Sequence, residues 1–129
     1  IGWMFVQEYY AYLNKNPRQI YRFYTKKSIL CHGTEGEDAT TSNGQQQINE
    51  KILQLDFQDC KVLISNVDCQ PSINGGILIQ VLGEMSNNGG PSRKFTESFF
   101  LAEQESGGYY VLNDIFRYLN EDIESDTDD

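Results

Sequence analysis

Tyr109-Tyr110-Val111-Leu112-Asn113-Asp114-Ile115-Phe116-Arg117-Tyr118 decides the fold. The run reads as a strand that is apolar at both parities. Strict alternation sets Tyr109, Val111 and Ile115 on one side and Tyr110, Leu112, Phe116 and Tyr118 on the other. A strand with one wet face alternates apolar and polar residues, so this one needs cover on both faces. Helices from the first half of the chain can supply one cover. Nothing evident in the chain supplies the other, which points to a partner molecule.

Working back from that run, further strands are expected at 59–68, 77–86 and 93–103, with the last at 109–119. Turn chemistry separates them: Asn74-Gly75-Gly76, Asn87-Asn88-Gly89-Gly90 and Ser106-Gly107-Gly108. Short turns join antiparallel neighbours. The 77–82 stretch is again doubly apolar, with Ile77, Ile79 and Val81 on one side and Leu78 and Leu82 on the other. An open sheet with an apolar outer face is a homodimer candidate. Ile79, Val81, Val111 and Ile115 are the candidate interface residues, and the sequence leaves open which parity faces outward.

The first half of the chain is helical in pattern. Over residues 2–15, Ile1, Phe5, Tyr9, Tyr12 and Leu13 share a face that Val6 and Tyr10 extend. Asn16 caps a second helix with Pro17 at its first position, and Ile20, Phe23 and Tyr24 follow at helical spacing. Residues 28–32 read as a short strand and 33–44 as a polar loop. A third helix covers about 45–55, striped by Ile48, Ile52 and Leu55 and capped by Asn43. Helices first and a meander second make an α+β domain, with three helices on the concave face of a curved antiparallel sheet.

The chain of 129 residues fits one domain and starts at Ile1, so it reads as part of a longer protein. Net charge is -9, unevenly spread. Residues 121–129 hold six acidic and no basic residues, and residues 1–120 hold ten basic and thirteen acidic. The domain is therefore 1–120, followed by an acidic, disordered tail or linker start. Only Lys26-Lys27 and Arg93-Lys94 cluster, a poor basis for binding nucleic acid. Cys31, Cys60 and Cys69 are odd in number and lack metal-ligand spacing, so buried free thiols in a reducing compartment are expected, with no metal. No run is long and apolar enough for a membrane span.

The order of the elements meets specific residues in Phe5-Val6-Gln7-Glu8-Tyr9-Tyr10, Leu13-Asn14, Arg22-Phe23-Tyr24, His32-Gly33, Gly44-Gln45 and Ile48. It continues through Asp56-Phe57, Asp59-Cys60, Val67-Asp68, Ile79-Gln80-Val81, Gly83-Glu84-Met85-Ser86-Asn87, Arg93-Lys94-Phe95 and Asn113 to Tyr118. Together these resemble the nuclear transport factor 2-like domain, and within it the Rasputin family of Ras-GTPase-activating-protein-binding proteins and their fungal relatives. The resemblance covers nearly all of 1–119. It implies a cone-shaped, homodimeric, non-enzymatic interaction domain without cofactor. It further implies a longer scaffold with an RNA-recognition motif, a role in stress granules, and partnership with a ubiquitin-specific protease. A cytoplasmic location with shuttling to the nucleus goes with it.

The family's peptide groove carries over residue by residue. Phe5 and Phe23 match two aromatic walls, and Tyr109 stands where animal members have Phe. Glu8 stands where they have Gln, and Gly107 where they have Asn. The implied ligands are Phe-Gly-Asp-Phe-like peptides. Two alternatives remain within the same superfamily. One is a transport factor binding Phe-x-Phe-Gly repeats. The other is an isomerase-type enzyme drawing on Glu84, Glu97, Asp114 and His32, although no spacing fixes an acid–base pair among them.

Overall fold

The structure is a computed structural model that describes residues 1–121; the rest of the acidic run lies outside the described residues. Helix α1 (Gly2–Lys15) turns Gly2, Val6, Tyr9, Tyr10 and Leu13 inward, the stripe that its periodicity dictates. A 3₁₀ helix follows at Pro17–Phe23, where an α-helix is expected from the spacing. Its tighter pitch still buries Ile20. Helix α2 (Gly44–Leu55) buries Ile48 and Ile52. Asn16 and Asn43 occupy the cap positions, but neither side chain makes the capping hydrogen bond. At α2, Gln47 Oε1 instead accepts from the Asn43 backbone N–H at 2.9 Å.

Six strands form one sheet: β1 (Tyr24–Thr34), β2 (Thr41–Asn43), β3 (Lys61–Pro71), β4 (Ile77–Ser86), β5 (Arg93–Glu103) and β6 (Tyr109–Tyr118), ordered β2-β1-β6-β5-β4-β3. The expected antiparallel meander holds from β3 to β6. The sheet as a whole is mixed, because β1 pairs with β6 in parallel. β1 is also longer than the 28–32 segment expected. Thr25, Lys26 and Lys27 have little strand pattern of their own, and they fall in the irregular stretch between Tyr24, which pairs with Val111, and Ile29, which pairs with Asn113. β2 lies within the stretch that reads as loop.

Bulges fall between Ile64 and Asn66, between Phe100 and Leu101, and between Tyr24 and Ile29 of their strands' pairings. Bulges bend strands and reverse the facing of the residues beyond them. On β6, Val111 pairs with Leu101 and Asn113 with Phe100, so Leu112 is the extra residue. Val111 therefore faces the core at 0% exposure, while Ile115 points outward at 52%. These two do not share a face as strict alternation requires. Ile79 and Val81 are also fully buried in the core. Three of the four candidate interface residues, Ile79, Val81 and Val111, thus belong to the inner face, and Ile115 alone belongs to the outer one. The outer face carries the rows Leu78–Phe100–Asn113–Ile29 and Gln80–Ser98–Ile115–Cys31.

The core lies between this inner face and the helices. It contains Val6, Tyr9, Tyr10, Leu13, Ile20, Tyr24, Ile48, Ile52, Phe95, Phe99 and Phe116. Truncating a ring such as Phe99 to Ala would cost about 3–5 kcal/mol. β3 and β4 come close beside the first bulge, where a Cβ at Gly83 would collide with the Leu63 carbonyl oxygen. The cysteines are free, as expected, but only Cys60 is buried; Cys69 is exposed and Cys31 half-buried. Among the described residues, no group of His, Cys, Asp and Glu side chains is placed to hold a metal, and no helix is long and apolar enough to cross a membrane.

Candidate functional site

A groove of about 230 Å³ runs beside α1. Ile1, Met4, Phe5 and Glu8 line it from the helix side, Phe23 from the end of the 3₁₀ helix, and Leu101, Tyr109, Tyr110 and Val111 from the sheet. Four of the five residues picked from the sequence, Phe5, Glu8, Phe23 and Tyr109, are thereby brought together. The fifth, Gly107, is not a lining residue. It sits in the β5–β6 turn, where its N–H donates to the Gln104 carbonyl at 2.9 Å and its φ of +102° suits glycine.

The aromatic walls are held by rings beneath them. Phe5 meets Phe23 edge-on at 5.6 Å and 89°, and meets core Phe99 at 5.0 Å and 79°. Phe23 also contacts Tyr9 and Tyr12. Such edge-to-face pairs contribute about 0.5–1.5 kcal/mol beyond burial. Ile1, Met4, Phe5 and Glu8 fall on one side of α1 because residues three and four apart stack on a helix. Met4 is 70% exposed and forms a flexible apolar rim.

Three features of the groove escaped the sequence reading. Tyr110 lines the groove beside Tyr109 and Val111, although these three residues pair in unbroken register with Ala102, Glu103 and Leu101 respectively. Met4 reads from sequence as the edge of a core stripe. Gln45 is the third: its Nε2 donates to the Tyr21 and Tyr24 carbonyls at 3.1 and 2.9 Å, clamping the backbone on both sides of Phe23.

A second, interior cavity has only about 20 Å³ and is lined by Tyr9, Leu13, Leu30, His32, Ile52, Phe57, Met85, Glu97, Asp114 and Phe116 among others. Here the structure gathers Glu97, Asp114 and His32, whereas Glu84 lies outside, accepting from Ser92 Oγ at 3.0 Å. Glu97 and Asp114 are buried, at 4% and 1% exposure. Tyr10 Oη donates to Glu97 Oε1 at 2.6 Å, and Tyr24 Oη to Asp114 Oδ2 at 2.5 Å. Asp114 Oδ1 has no hydrogen-bond partner. Neither acid lies on a polar edge or holds Arg117, which donates instead to the Thr34 and Glu37 carbonyls. The inward Glu97 is legible in hindsight, since Phe95, Phe99 and Leu101 share its parity.

Burial, reinforced by the charge of Asp114, raises Glu97 well above its ordinary value. Burial also raises Asp114, against the hydrogen bonds that favour its charged form. Burial and the neighbouring carboxylates push Tyr9, Tyr10 and Tyr24 upward. His32, stacked on Phe116 at 4.1 Å, is lowered to about 4 by burial and by the charge of Lys51. The cavity has room for roughly one water; Tyr10–Glu97 and Tyr9–Tyr24–Asp114 are hydrogen-bonded networks beside it, whereas His32 Nε2 has no hydrogen-bond partner.

A bent mixed sheet, closed over by helices and bearing an aromatic groove at its rim, has the architecture of the nuclear transport factor 2-like class. The profile of the nuclear transport factor 2 (NTF2) domain matches residues 1–118, and the chain belongs to that family. It is 68% identical to a G3BP-like protein of Schizosaccharomyces pombe over 98% of this chain and 29% of that protein. The chain spans under a third of the first two curated relatives it matches, 29% and 26%. Nuclear transport factor 2 of Cryptosporidium parvum superposes with a TM-score of 0.82 at 35% identity, covering 92% of this chain and 91% of that one. The yeast UBP3-associated protein BRE5 gives 0.79 at 26% identity, covering 92% and 94%. The yeast complex of the deubiquitinase Ubp3 with its Bre5 cofactor gives 0.76 at 25%, covering 92% and 95%.

Proposed function

We propose that the domain is a non-enzymatic, homodimeric scaffold module that captures Phe-containing linear motifs in the groove between α1 and β6. The observation that carries this reading is the convergence of Phe5, Phe23 and Tyr109 on one open apolar slot. A Phe anchor buried there gains contact with several rings at once, and a few such anchors dominate affinity in a small interface. Through its motif, the domain serves as cofactor to a ubiquitin-specific protease and connects it to cytoplasmic ribonucleoprotein granules, with shuttling to the nucleus. Similarity to the Bre5 cofactor and to the G3BP-like protein supports this assignment.

The dimer reading is supported by the outer sheet face, where Ile29 on β1, Ile115 on the adjoining β6 and Leu78 on β4 are 40%, 52% and 46% exposed. An interaction role is favoured over isomerase-type catalysis because the acids lie around a cavity of only about 20 Å³. Transport through binding of Phe-x-Phe-Gly repeats is the second reading. It is supported by 35% identity to a transport factor that matches over 91% of its length.

Titration of a labelled Phe-Gly-Asp-Phe peptide and of a Phe-x-Phe-Gly peptide, with Phe23→Ala beside the parent, tests the groove. Saturable binding lost in the variant is expected. Absence of binding to a folded parent protein by either peptide would overturn the reading.

A further inference from the structure

Of the nine side chains lining the groove, eight are apolar or aromatic, and Glu8 is the one that carries a charge. It lies one turn beyond Phe5 and Met4 on the same side of α1, so a peptide seated on Phe5 passes beside its carboxylate. Among the described residues, the one ion pair joins Lys61 to Asp59, so Glu8 has no cationic partner within the domain. Arg22, next in sequence to the groove wall Phe23, donates to Gln19 Oε1 at 3.3 Å. Beyond Tyr110 the groove adjoins a second hollow that holds Lys26 and Lys27, but Glu103 and Glu105 line that hollow too, so its charges balance. Among the side chains that line the groove, the one charge is therefore that of Glu8.

We propose that the groove selects aromatic motifs carrying a lysine or arginine next to the anchoring Phe, and disfavours those with an acidic residue there. This rests on the groove being a peptide site, and it assigns the charge of the ligand. The partner is a basic, Phe-containing segment. The carboxylate contributes more to discrimination than to affinity, because an acidic peptide residue meets repulsion while a basic one gains a paired charge.

The test uses peptides that share a Phe-Gly-x-Phe core and carry Lys, Gln or Asp at one position flanking or between the two Phe residues. Each is titrated by fluorescence anisotropy into the parent protein, Glu8→Gln and Glu8→Lys. Glu8 is exposed, so these variants keep the fold. At the position nearest Glu8, the parent is expected to bind the Lys peptide about two- to fivefold more tightly than the Gln peptide, as for an exposed ion pair. The Asp peptide should be weakest. The preference should shrink in added salt, vanish in Glu8→Gln and reverse in Glu8→Lys. Equal affinities at every position in the parent, or a preference that persists in Glu8→Gln, would overturn the assignment while leaving the groove intact. No binding of any peptide would overturn the groove reading and this inference together.

Discussion

Tyr10 Oη donates a hydrogen bond of 2.6 Å to Glu97 Oε1, joining α1 to the middle of β5 through the interior. The two residues stand 87 positions apart in sequence. Removing the hydroxyl leaves a buried acid without its donor. Tyr10→Phe is therefore expected to lower stability by about 1–3 kcal/mol with the ring packing kept. Urea unfolding of the variant against the parent measures it.

The same network makes stability fall with rising pH. Glu97 and Asp114 keep their protons in the folded state at pH values where the unfolded chain has lost them. The folded state then binds more protons than the unfolded one, so stability declines as pH rises through the folded values. His32 acts in the opposite sense. Its value drops from 6.5 to about 4 on folding, so its contribution is complete above 6.5 and is lost as pH falls towards 4. Urea midpoints across pH should fall on the acid side, and His32→Asn should flatten that limb. Glu97→Gln, already uncharged, should flatten the decline on the other side.

Phe23→Ala should weaken the bound Phe motif by at least about 30-fold, the loss of a central anchor. Gln45→Ala tests positioning. Gln45 is not a lining residue, yet its loss releases the carbonyls of Tyr21 and Tyr24 on either side of Phe23. A smaller loss of affinity is expected, with Phe23 still in place. Anisotropy titrations of both variants separate anchor from clamp.

A dimer through the outer sheet face predicts different fates for two apolar positions. Ile115→Asp should give a folded monomer by sedimentation, with stability of the single chain nearly unchanged. Val81→Asp places a carboxylate in the core and should cost at least about 3 kcal/mol, appearing as unfolding rather than dissociation.

Thiol chemistry should report the fold directly. Cys60 is fully buried, and its thiol is raised to about 11 by burial and by the charge of Asp59. Cys69 is exposed on β3. A maleimide probe followed by mass spectrometry should modify Cys69 first and reach Cys60 only when denaturant opens the core.

Helix positions and strand punctuation are legible in the sequence because periodicity and turn glycines are local signals. The facing of β6 is not. One extra residue, Leu112, separates Val111 from Ile115, and no local pattern marks a bulge whose position is set by the neighbouring strand. The parallel partnership of β1 is hidden for a similar reason: it joins segments far apart in the chain, and the irregular stretch between Tyr24 and Ile29 interrupts it. Phe5, Phe23 and Tyr109 were found through family resemblance. Periodicity alone makes such rings core residues, and here each is both wall and core neighbour.

The pairing of β1 with β6 also has a cost in time. β1 is synthesised early, but its parallel neighbour is the last strand of the sheet, so one flank of β1 waits while more than eighty further residues are added. At about 5–20 residues per second, that edge stays open on the ribosome for several seconds. Open strand edges invite pairing between nascent chains, and lysines are a common safeguard against it. Lys26 and Lys27, exposed on β1, are suited to keep unfinished chains apart until β6 arrives.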